Sequence, residues 1–66
     1  MSDSTSKTEY IVTYHYKGGG TYIETYGNYG TALYAAAAEM EIHKDSRDWY
    51  EIKEVITITR IIASTK

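Results

Sequence analysis

The side chains able to do chemistry in this chain are few. Two histidines, His15 and His43, nine carboxylates and no cysteine are spread over 66 residues. A metal site on either histidine would need help from Glu24, Glu39 or Asp45, and no recognised ligand spacing joins them. The stretch "GGGTYIETYGNYGT", 18–31, packs five glycines and three tyrosines together and invites comparison with a phosphate-binding loop. Such a loop needs G-x-x-x-x-G-K-[ST] between a strand and a helix, so that backbone N–H groups and the helix N-terminus surround the phosphate. Here Lys17 precedes the glycines and a strand pattern follows them, so the glycines read as a hairpin turn.

"GNYG", 27–30, has the outline of a G-x-x-G nucleic-acid clamp. That clamp lies between two helices with basic residues nearby, whereas this segment joins a strand to a helix and has no adjacent Lys or Arg. There is no thiol nucleophile, G-x-S-x-G elbow or helical H-E-x-x-H. One sheet with one helix also offers little concavity in which a carboxylate pKa would be shifted. The expectation is a protein that is not an enzyme and that uses no cofactor or metal.

The elements that position these residues follow from periodicity. "EYIVTYHY", 9–16, and "TYIETY", 21–26, are rich in β-branched and aromatic residues and form a hairpin. An even loop sets Tyr14 opposite Ile23 and gives one face Tyr10, Val12, Tyr14, Tyr16 and Ile23. An odd loop places Glu24 beside Val12 and Tyr14, which would bury a carboxylate, so the even loop is expected. From Tyr29 the period becomes helical: Tyr29, Leu33, Ala36, Ala37, Met40 and His43 share a stripe. Four alanines at 35–38 favour the helix, expected over 29–44 with Asn28 as N-cap.

"WYEIKEVITITRII", 49–62, reads as a long third strand whose even positions, Tyr50 to Ile62, make the core face. Glu54 and Arg60 interrupt that face, so a bulge near 54 or an overhang beyond the helix is expected. The predicted fold is α+β: ββαβ, a three-stranded antiparallel sheet in order 2-1-3 with the helix on one face. One domain at 9–62 is expected between a disordered tail at 1–8 and a short tail at 63–66.

A helix can cover only one side of the sheet. The other side is expected to carry Ile11, Thr13, His15, Tyr22, Glu24, Tyr26, Val55, Thr57, Thr59 and Ile61, a tyrosine-bearing surface suited to an interface. Glu39, Glu41, Asp45 and Asp48 add a locally acidic patch that would attract a basic partner surface. The predicted partner-binding residues are therefore Tyr22, Tyr26, Ile11, His15 and Glu24 with Glu39, Glu41, Asp45 and Asp48. A formal charge of −2 argues against a general nucleic-acid binder, and no apolar run approaches the ~20 residues that span a bilayer. A polar N-terminal segment lacks the apolar stretch of a signal peptide, so a soluble, cytoplasmic protein is expected.

From "YIVTYHY" to "WYEIKEVITITRII" the chain resembles, in size and layout, the small cysteine-free accessory proteins of bacteriophages. That resemblance implies a non-catalytic inhibitor that occludes a host or defence protein in the host cytoplasm; it transfers no site residues. Two other readings stand beside it. One is a single-stranded nucleic-acid binder stacking bases on Tyr22, Tyr26 and Tyr14; the other is a self-associating module, a homodimer among its forms, that pairs through its sheet face or a strand edge.

Overall fold

The computed structural model describes residues 4–63 and 65. Its elements are β1 (Ser4–Tyr16), β2 (Thr21–Tyr26), α1 (Tyr29–Ile42) and β3 (Arg47–Arg60). The strands form one antiparallel sheet in order β2-β1-β3, as the sequence predicts, with α1 packed on one face.

The hairpin loop is odd, not even. Tyr14 pairs with Tyr22, Thr13 with Ile23 and Val12 with Glu24. Glycine chemistry sets this register: Gly19 and Gly20 have φ of 97° and 86°, a region open to glycine and costly for other residues. The Gly19 N–H donates to the Tyr16 carbonyl at 3.1 Å and the Tyr16 N–H to the Gly20 carbonyl at 3.2 Å, closing a three-residue loop over Lys17–Gly19. The expected penalty on Glu24 is avoided because β2 is an edge strand. Glu24 stays half-buried and accepts a hydrogen bond from the Tyr22 hydroxyl at 2.6 Å.

Directly paired residues share a face. The helix-side face thus carries Tyr10, Val12, Tyr14 and Tyr16 of β1, Tyr22, Glu24 and Tyr26 of β2, and Tyr50 and Ile52 of β3. Ile23, expected in the core, lies on the opposite face and is 58% exposed.

Asn28 caps α1 as predicted, its Oδ1 accepting from the Thr31 N–H at 3.0 Å. The helix ends two residues earlier than expected, at Ile42, with the His43 N–H donating to the Glu39 carbonyl at 3.0 Å. Its buried stripe is Ala32 and Ala36 with Met40 packed beside them, rather than one led by Tyr29 and Leu33, which are exposed. The helix is apolar on nearly every side, so its period points weakly in any one direction. Sheet bulk decides instead: Val12 and Tyr14 fill the interlayer space, and only alanine lets a helix backbone sit above them.

The core is small. Val12, Tyr14, Ala32 and Ala36 are its fully buried apolar residues, with Tyr10, Tyr26, Met40, Tyr50 and Ile52 around them. Beyond it the sheet narrows to a two-stranded ribbon. Residues 4–8, expected as a disordered tail, belong to β1 and pair with 56–60 of β3, from Thr8 opposite Ile56 to Ser4 opposite Arg60. Residues 1–3 of that predicted tail lie outside the described residues. The predicted overhang of β3 past the helix is therefore observed, while the sheet's irregularity falls at His15/Tyr16 opposite Trp49 and Arg47, not near 54. Glu54 is accommodated at the rim, where it accepts a hydrogen bond from the Tyr10 hydroxyl at 2.9 Å.

Four tyrosines have raised pKa values. Burial raises Tyr14 and Tyr26, and hydrogen bonds to Glu54 and Glu24 raise Tyr10 and Tyr22. Each hydroxyl holds its proton more tightly folded than unfolded, so this stability is complete below the unfolded tyrosine pKa of about 10 and is lost as pH rises through the raised folded values. Thermal melts should hold up to pH ~9 and fall steeply above ~10, in step with tyrosinate absorbance. A melting temperature unchanged through that range would show that the folded-state shifts are absent.

Candidate functional site

The sheet face opposite the helix carries exposed apolar residues, Ile23 and Trp49 among them, that no second layer covers. At its centre, the odd positions of β1 place Ile11, Thr13 and His15 in a row, flanked by Thr25, Ile23 and Thr21 on β2 and by Lys53, Glu51 and Trp49 on β3. Thr13 is only 9% exposed, shut in by its neighbours. Trp49 and Ile23 stand out to solvent at 51% and 58% exposure, and Val55 continues the surface toward the ribbon.

Pairing of β1 with β3 sets His15 directly opposite Trp49, and their rings stack at 3.7 Å with an interplanar angle of 4°. The His15 Nε2 lies 3.2 Å from Glu51 Oε1 across the diagonal. Imidazole, indole and carboxylate thereby lock one another's rotamers. A preordered tryptophan is a low-entropy contact surface, because its side-chain freedom has been lost before a partner arrives.

Ile11 and His15 lie on this face as predicted. Tyr22, Glu24 and Tyr26 do not; the odd loop turns all three toward the helix side. There the Tyr22 ring stacks on Tyr14 with centroids 6.2 Å apart, and Tyr26 packs against the core. Tyr14 is fully buried, so the three tyrosines form no exposed platform for stacked bases.

The predicted acidic residues also separate. Glu39 accepts from the Arg47 Nη1 at 2.8 Å and lies 3.3 Å from the His43 Nε2. Arg47 is 7% exposed and lies over the Tyr14 ring, 4.3 Å from its centroid. Burial works against its charge, but hydrogen bonds with Tyr16 and Glu39, together with the Glu39 carboxylate, more than offset this and leave its pKa above the ordinary arginine value. Glu39 is thus part of a clamp that ties the helix end to the start of β3. Glu41 forms an exposed pair with Lys44 at 3.9 Å, while Asp45 and Asp48 remain exposed.

Trp49 and Ile23 are the surface residues that sequence reasoning missed. Trp49 occupies an odd position of a strand whose even positions make the core, so alternation alone places it here. Ile23 depends on the hairpin register. Among the described residues no three His, Asp or Glu side chains converge as a metal site, and no helix is long and apolar enough to cross a membrane. Comparison with known proteins finds no matching family model, curated protein or solved structure.

Proposed function

We propose that the chain is a non-catalytic protein-binding module whose contact surface is the uncovered sheet face, centred on Trp49 and Ile23. The observation that carries this reading is the half-exposed Trp49, stacked on His15, on a face that also carries Ile11, Ile23 and Val55 with no second layer above them. Buried tryptophan at the centre of an interface is a typical energetic anchor, and Glu51 and Lys53 on the edge strand β3 supply polar groups beside the apolar residues of this face. Such a surface acts by occlusion, which needs no reacting group. The resemblance in size and layout to bacteriophage accessory proteins supports a host or defence protein as the one occluded.

The test is capture from host lysate, with and without nuclease treatment, by immobilised wild type, an Ile23→Ser/Trp49→Ser variant and a Tyr34→Ser control. Tyr34 is 79% exposed on the helix, away from the proposed surface. A stoichiometric protein held by wild type and by the control, and lost by the double variant, is the expected result. Against that purified partner Trp49→Ala should cost about 2 kcal/mol, roughly 30-fold in affinity. Equal capture by the double variant would remove the face from the account, and capture abolished by nuclease would replace a protein partner with nucleic acid.

A further inference from the structure

The ribbon of residues 4–8 and 56–60 has no covering layer, and two strands alone are marginally stable in water. It makes the molecule unusually extended. The radius of gyration is 16.9 Å and the extents are 56 × 23 × 13 Å, where a compact chain of this length would have a radius of about 11 Å. The accessible surface of 5215 Å² exceeds the roughly 4,200 Å² of a compact protein of 7.5 kDa. The excess is about what one partner contributes to a standard interface, ~800 Å².

The sheet order leaves the outer edge of β3 without a neighbouring strand, so it presents a row of unpaired backbone groups. Proteins guard such edges with charge, proline or bulges. Charged side chains protect residues 51–54, but Val55–Thr59 is five consecutive β-branched residues, without charge, proline or glycine. Ile56 and Ile58 within it are 56% and 69% exposed. The run is bounded by Glu54 on one side and Arg60 on the other, each three positions from Thr57.

We propose that β3 pairs antiparallel with β3 of a second copy about a two-fold axis through Thr57, making a continuous six-stranded sheet. In that register Glu54 of each protomer stands opposite Arg60 of its partner, Ile56 opposite Ile58, and Ile52 opposite Ile62. The even positions from 52 to 62 are thus complementary to their own reverse in charge and in apolar character, while on the other face Lys53 stands opposite Ile61. From Ile52 to Arg60 the even positions share the helix side of the sheet, so four isoleucines, Ile56 and Ile58 of each protomer, form a cluster across the axis and both helices lie on one face. On the helix side, a shift of two residues either way sets Glu54 and Arg60 opposite isoleucines instead of each other. A shift of one puts the two helices on opposite faces and breaks the isoleucine cluster. Arg60 has no carboxylate partner within the chain among the described residues, and Glu54 uses one carboxylate oxygen for Tyr10, leaving the other available.

Charge reversal tests the register. Sedimentation equilibrium should give the wild type a mass of about 15 kDa, twice the 7.5 kDa chain. Glu54→Arg and Arg60→Glu each create two like-charge pairs across the axis and should raise the dimer dissociation constant about 100-fold or more. Circular dichroism should show both still folded. Mixed in equal amounts, the two variants satisfy both pairs and should form a one-to-one heterodimer, as should the doubly reversed chain with itself. A monomeric wild type, dimers indifferent to either reversal, or reversed variants that stay monomeric when mixed would each overturn the proposal.

Discussion

Tyr14→Ala should unfold the domain, whereas Tyr14→Phe should leave it as stable as wild type or slightly more so. Tyr14 is the largest fully buried side chain, sits on the central strand and touches the helix stripe, Tyr22 and Arg47. Truncating a buried aromatic to alanine costs about 3–5 kcal/mol. A single core in a chain this short supplies roughly the same amount in total, so little folded protein should remain. The phenylalanine variant isolates the hydroxyl, which is buried with no hydrogen-bond partner in the protein. Stranded hydroxyls cost about 1–3 kcal/mol, so their removal should be neutral or favourable by up to ~1 kcal/mol. Urea denaturation at fixed protein concentration measures both. A strong loss on Tyr14→Phe would mean that the hydroxyl is bonded after all.

Arg47→Ala should cost about 2–3 kcal/mol, and Arg47→Lys should recover less than half of it. The guanidinium holds Glu39 on the helix and lies over the Tyr14 ring at the start of β3, so it joins three elements at the end of the sheet where the loop 43–46 turns. Breaking a buried pair by removing one member costs about 3–5 kcal/mol, chiefly by leaving the other charge stranded. Here the figure is lower, because the Glu39 side chain is 36% exposed and can be hydrated when Arg47 is gone. Lysine keeps the charge but not the planar fork or the stacking surface. Its Nε has no partner, so the site is imperfectly satisfied and Arg47→Met, which preserves bulk over Tyr14, should lose less than alanine. Equal stability of Arg47→Ala and wild type would reduce this contact to a surface pair.

What the sequence revealed and what it withheld divide along one physical line. Element types and order follow from local pattern: β-branched runs, the alanine block and the Asn28 cap each determine their own segment. The overhang of β3 follows from Glu54 and Arg60 interrupting an apolar row. The faces of β2 are different, because they depend on whether one loop holds an odd or even number of residues. Three consecutive glycines permit either, and the choice turned on the cost assigned to Glu24. On an edge strand that cost is small, because Tyr22 supplies a hydroxyl and water reaches the carboxylate. One residue of register then moved Tyr22, Glu24 and Tyr26 to the helix side and Ile23 to the open side. The strand at 4–8 was illegible for another reason: Ser, Thr and Lys there carry no apolar alternation, and they are strand only because β3 lies alongside.

The hairpin register decides whether Ile23, or Tyr22 and Tyr26, share the open face with Trp49, so it is the first thing to measure. Nuclear Overhauser contacts between strands β1 and β2 report it directly. The structure predicts cross-strand contacts between Thr13 and Ile23, between Tyr14 and Tyr22, and between Val12 and Glu24. Contacts pairing Tyr14 with Ile23 and Val12 with Thr25 would instead return Tyr22 and Tyr26 to the open face and send Ile23 to the helix side, and a contact surface shared by Trp49 and Ile23 would fail.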